Sequence, residues 1–151
     1  GSLFYSNARK YLPWLSGIFT FMKTILIYIF AWLGMVVIAV ANGIVREKLY
    51  SQAMSELSAH QLSTLIAIIL LGIYIFVLTI VFQIQSAKQA FTIGGIWMIM
   101  TVIFEFVFGH FVAGHAWTTL FMDYDILRGR VWVLVLIWTF VAPYLFYRLR
   151  F

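Results

Sequence analysis

The chain contains no cysteine, and only 10% of its 151 residues are charged. Without cysteine there are no disulfides, no thiolate metal sites and no thiol chemistry. The shortage of charge excludes more. A soluble domain of this size needs a polar shell, and a sequence that is 64% hydrophobic with a mean hydropathy of +1.02 cannot make one. A second domain, a low-complexity tract and a repeat of recognisable period are also lacking. What remains is a series of apolar stretches matching the roughly 20 residues needed to cross a hydrocarbon core about 30 Å thick. The sequence therefore predicts an all-α integral membrane protein. Its net charge of +5 fits contact with anionic headgroups and topogenic signalling, not nucleic acid.

Four spans are expected, at about residues 18–42, 62–82, 90–113 and 131–147, forming a four-transmembrane-helix bundle that fills the single domain 1–151. The Arg9/Lys10 flank and Ala39-Val40-Ala41 mimic a signal peptide, but the apolar run is too long for one and reads as a true span. The connections 43–60 and 114–130 carry the polar residues and read as interfacial helical loops. Ser58 with Gln61, and Ser86 with Gln89, have capping-box spacing and are expected to start the second and third spans. Pro143 lies within the fourth and removes one backbone hydrogen bond. Both termini fall on one side with Arg9, Lys10, Lys23, Lys88, Arg148 and Arg150. The other side holds Arg46, Lys48, Arg128 and Arg130, and six basic residues against four favours cytoplasmic termini.

Residues 101–117, TVIFEFVFGHFVAGHAW, put one carboxylate and two imidazoles into or beside the third span. Ionisable groups there are costly and usually face a partner or a water-filled cavity. Glu105 lies fifteen residues past Ala90, about 22 Å along the helix axis, in the outer third of the membrane. His110, His115, Asn42, Arg46 and His60 fall near the same level, and Asp123, Asp125 and Arg128 close the group from the last loop. These nine residues are the candidate ligand-binding set. Two main readings compete for Glu105: a structural salt bridge to Arg46 or Arg128, and a carboxylate lining an outward-facing cavity. On a regular helix Glu105 and His110 sit about 140° apart, as do His110 and His115, so H-x-x-x-H metal geometry is missing. A bulge near Gly109 would bring Glu105 and His110 onto one face. No metal is expected, and the residues name no cofactor. Asp123-Tyr124-Asp125 lacks the length and oxygen count of a calcium loop.

Three function classes follow. One is a small transporter or ligand-binding protein whose outer polar pocket centres on Glu105 and takes a small cation or a polar or amphiphilic ligand. The others are a membrane enzyme acting on lipid or lipid-linked substrates, and an accessory subunit of a membrane complex. In size and span number the chain resembles the small multidrug-resistance exporters, which also carry a membrane-embedded glutamate. Theirs belongs to the first span and Glu105 to the third, so no residue role transfers. Expected partners are membrane lipids and either a second copy or another membrane subunit. The pocket reading is the one taken forward.

Overall fold

The computed structural model describes residue 10, residues 13–122, 124, 125, 127, 129 and 131–150. All regular structure among them is helical. Helix α1 (Pro13–Val45) continues through a π-helical turn at Arg46–Tyr50 and one last turn at Ser51–Ala53. After it come α2 (Glu56–Val81), α3 (Ala87–Val107) with a second π-helical turn at Phe108–Val112, the short α4 (Trp117–Met122), and α5 (Val133–Leu149). Three helical stretches, Pro13–Ala53, Glu56–Val81 and Ala87–Val112, are long and apolar enough to cross a membrane. The fourth, α5, is apolar but has only 17 residues.

Helix starts follow side-chain chemistry. Ser86 accepts the Gln89 N–H at 3.1 Å, while Gln89 accepts the N–H of Gln85, the residue before the cap, at 2.8 Å, a variant of the capping box whose return bond reaches one residue further back. At α2 the cap is Ser55, not Ser58. Met54 and Ser55 are extended, and the Ser55 hydroxyl accepts the Ser58 N–H at 3.2 Å. The sequence 55–58 offers two serines three apart, and the one preceding the acidic Glu56 starts the helix, where a negative side chain is favoured. At the other end of α2, the Tyr28 hydroxyl donates to the carbonyls of Leu78 (3.2 Å) and Phe82 (2.5 Å), and the Arg150 guanidinium donates to that of Thr79. The Thr79 and Phe82 carbonyls at the frayed end thereby gain donors, while the Leu78 carbonyl also accepts the Phe82 N–H at 2.7 Å.

Long-range hydrogen bonds fix the register. Gln89 reaches the Phe21 carbonyl, Trp97 the Tyr28 carbonyl and Trp32 the Thr101 hydroxyl. The offset stays at 68 or 69 residues, so α1 and α3 run parallel. Between α1 and α2 the pairs Tyr74 to Ala31 and Asn42 to Ser63 share the sum 105, the mark of antiparallel neighbours. Helix α5 packs between α2 and α3, and α1 lies on their other side. The α3/α5 contact is close because Gly94 faces the Phe140 backbone with no side chain between them. The bundle interior collects Tyr28, Leu71, Ile75, Ile93 and Trp97, all 2% exposed or less. The outer surface is just as apolar: Phe19, Phe30 and Val37 are 72, 70 and 68% exposed. Two ends can be distinguished. The terminal end holds Pro13 and Arg150; the loop end holds Arg46–Tyr50 and the described residues between Phe108 and Trp132.

Candidate functional site

Helix α3 does not run out evenly at the loop end. At Phe108–Val112 the helix widens to a π turn, with the Ala113 N–H on the Phe108 carbonyl at 2.9 Å. A bulge, which nothing in the sequence requires, therefore occurs beside Gly109, whose missing side chain leaves room for Leu120 of α4. Gly114, at φ 74°, ends the turn, and the His115 N–H reaches back to the Gly109 carbonyl at 2.8 Å. Positive φ is open to glycine without steric cost. Gly129 (φ 82°) similarly turns the chain toward α5, and its carbonyl accepts the Gln61 side-chain N–H at 3.1 Å, which pins the loop to α2.

The folded-back loop covers a cavity of about 420 Å³. Its floor is the Trp32–Thr101 hydrogen bond (3.0 Å) with Leu71 and Thr139, and its mouth is formed by Arg46, Glu47 and His115. From Trp32 to Glu47 the wall of α1 rises about 22 Å at 1.5 Å per residue. Pockets of a few hundred Å³ with mainly apolar walls and a few convergent polar groups are the usual form of small-molecule sites.

Glu105 projects into this cavity one turn above Thr101 and is half-buried. The Trp132 indole N–H donates to its Oε1 at 2.5 Å, and the Tyr124 hydroxyl donates to its Oε2. Tyr124 is held in place by stacking on Phe106, at 5.6 Å between centroids and 7° between planes. The Trp132 ring lies 6.5 Å from that of His60. One carboxylate thus ties α3 to the loop and to the start of α5.

Of the nine residues singled out by sequence, Asn42, Arg46, His60, Glu105 and His115 line the cavity. Asn42 is buried and donates to the Ser63 carbonyl at 2.8 Å, joining α1 to α2. The His60 carbonyl accepts the hydroxyls of Ser63 and Thr64. Arg46 turns its guanidinium back along α1, so that Nη2 lies 3.9 Å from where a side chain on Gly43 would begin. His110 is elsewhere: its ring stacks on Trp117 at 3.8 Å, and Nδ1 pairs with the His115 carbonyl at 2.9 Å. The bulge therefore carries Gly109 and Ala113 to the cavity wall and leaves His110 outside it. Asp125 belongs to the loop, with its N–H on the Met122 carbonyl. Asp123 and Arg128 lie outside the described residues. No group of three or more histidine, aspartate or glutamate side chains that could hold a metal occurs among the described residues.

Tyr124, Trp132, Trp32 and Thr101 belong to the site without having been singled out. A buried tyrosine or tryptophan usually finds an acceptor for its polar atom, and an acid in an apolar helix needs donors. That pairing is the one signal the sequence offers for them. No known protein family, curated protein or solved structure matches the chain.

Proposed function

We propose that this is a multi-pass membrane protein whose four helices cross the bilayer and whose loop-end cavity binds a small cation or a polar or amphiphilic ligand through Glu105. Three helices of sufficient length support membrane residence. So does an outer surface whose phenylalanines and valines would otherwise face water. For α5, 17 residues sit at the short end of the spanning range of about 17–25. Its start is extended by Val131 and Trp132, whose carbonyls accept the N–H groups of Leu134 and Val135 at 2.9 Å.

The ligand reading is carried by one observation: a carboxylate set between two fixed donors inside a 420 Å³ cavity. A purely structural role would need only the donors. Here the same group also faces open volume. The test is thermal stabilisation of the purified protein in nanodiscs by a panel of inorganic cations, amines and polar amphiphiles. A ligand at a hundred times its Kd adds about 2.7 kcal/mol, and each kcal/mol is worth about 2–4 °C for a protein of this size. At least one compound is expected to raise Tm by about 5–10 °C in the wild type and not in Glu105→Gln. Equal stabilisation of both proteins, or of neither, would reject the site. Uptake of the active compound into proteoliposomes then separates a transporter from a receptor.

Orientation follows from the basic residues, with the terminal end cytoplasmic. Native cysteine is absent, so single cysteines report directly. In intact cells, cysteine at Ser55 is expected to react with an impermeant maleimide and cysteine at Lys10 to stay protected. The reverse pattern would invert the protein.

A further inference from the structure

Resting on the reading of Glu105 as a ligand group, we infer that the cavity takes a zwitterion, its cationic end deep at Glu105 and its anionic end nearer the mouth at Arg46. Parallel register puts Glu105 level with Val36 of α1, since Trp32 meets Thr101 and Tyr28 meets Trp97 at an offset of 69. Arg46 is ten residues further along α1, but its guanidinium is drawn back to the level of Gly43. The two charged groups line one cavity, and their levels differ by about 10 Å at 1.5 Å per residue.

The surroundings suit each end. Trp32, Tyr124 and Trp132 give the Glu105 level aromatic walls, and ring faces attract ammonium groups. Arg46 makes no hydrogen bond or ion pair through its guanidinium among the described residues. A planar fork of five donors left facing a cavity is suited to a carboxylate or phosphate. Between the two levels the wall consists of Ala39, Val40, Phe108 and Gly109, apolar groups that fit an uncharged spacer. A simple cation would leave Arg46 unused and close enough to repel it. A simple anion would meet Glu105.

The probe is 8-aminooctanoate, whose charged ends stand about 10 Å apart when extended, given C–C bonds near 1.5 Å. Its comparators are 8-amino-1-octanol and 8-hydroxyoctanoate, which each keep one charge, and 4-aminobutanoate, which keeps both but is too short to bridge. Kd values come from calorimetry on the full chain in nanodiscs. The zwitterion is expected to bind at least about tenfold more tightly than any comparator, tenfold being 1.4 kcal/mol. Arg46→Gln should erase its advantage over aminooctanol, and Glu105→Gln its advantage over hydroxyoctanoate. Glu105→Asp, which keeps the charge, should retain part of the binding and guards against a folding artefact. If aminooctanol binds as tightly as aminooctanoate and Arg46→Gln changes nothing, the anionic subsite is wrong while the Glu105 site stands. Equal binding of 4-aminobutanoate would refute the two-point geometry. No binding by any of the four would overturn the inference, leaving the Glu105 reading to the wider ligand panel.

Discussion

Replacing Gly94 with alanine is expected to destabilise the protein, while the same change at Gly95 leaves it unharmed. A side chain built on Gly94 runs into the carbonyl group and Cα of Phe140. Those are backbone atoms of a packed helix and cannot rotate away as a side chain would. The α3/α5 contact would have to open, and overpacking of this kind costs about 1–3 kcal/mol, occasionally more. For a chain of this length that corresponds to a fall in Tm of roughly 3–10 °C. At Gly95 the nearest atom is the Phe140 ring edge at 3.9 Å, an ordinary contact. There alanine gains helix propensity of up to about 1 kcal/mol over glycine. Thermal unfolding in one detergent compares the two variants directly. A Gly94→Ala protein melting within a degree of wild type would mean that α3 and α5 are not packed as described.

That sequence runs Gly94-Gly95 shows why packing is harder to read than pattern. Two adjacent glycines in an apolar helix look alike, and only the position of α5 makes one indispensable and the other replaceable. Local signals did better. Ser86 and Gln89 cap α3 as their spacing requires, since both groups lie within one turn. The bulge beside Gly109 is also local, but the sequence only permits it. Its consequence is not local, because the swing of His110 depends on Trp117, which arrives from beyond Gly114 to stack on it. The same limit applied to Glu105. Its position in an apolar stretch marks it as a site from sequence alone, and the level of Asn42, Arg46 and His60 follows from counting residues along helices. Its donors do not follow. Tyr124 and Trp132 reach it across 19 and 27 residues, through a loop whose path is set by Gly114, Gly129 and the Gln61 contact. Counting residues offers Arg46 and Arg128 as ion-pair partners, and Arg128 lies outside the described residues. Among the described residues the carboxylate is met by two neutral donors from elements the periodicity leaves unassigned.

Those two donors make Glu105→Gln and Glu105→Ala differ sharply. The Trp132 indole N–H points one way and cannot become an acceptor. A hydroxyl can rotate, so Tyr124 can accept where it formerly donated. Glutamine therefore fits if its carbonyl takes the Trp132 N–H and its amide donates to the Tyr124 oxygen. The bonds to Trp132 and Tyr124 survive with the charge removed, and Glu105→Gln is expected to melt within a few degrees of wild type. Alanine satisfies neither donor. Each half-buried group left unpaired costs about 1–3 kcal/mol, so Glu105→Ala should lose roughly 2–6 kcal/mol, much of the 5–15 kcal/mol that holds a typical protein together. Trp132→Phe in the Glu105→Ala background removes one orphan and should recover part of that loss, as expected of residues in direct contact. Ligand stabilisation is the second readout on the same proteins. If Glu105 serves only to hold the loop, Glu105→Gln keeps both its fold and every ligand-induced rise in Tm. If the carboxylate binds cargo, Glu105→Gln keeps its fold and loses those rises, and Arg46→Gln cannot restore them because it supplies no negative charge. A Glu105→Gln protein as unstable as Glu105→Ala would instead select the salt-bridge reading, in which the charge itself holds the bundle through a group other than Tyr124 and Trp132, and would reject the ligand site.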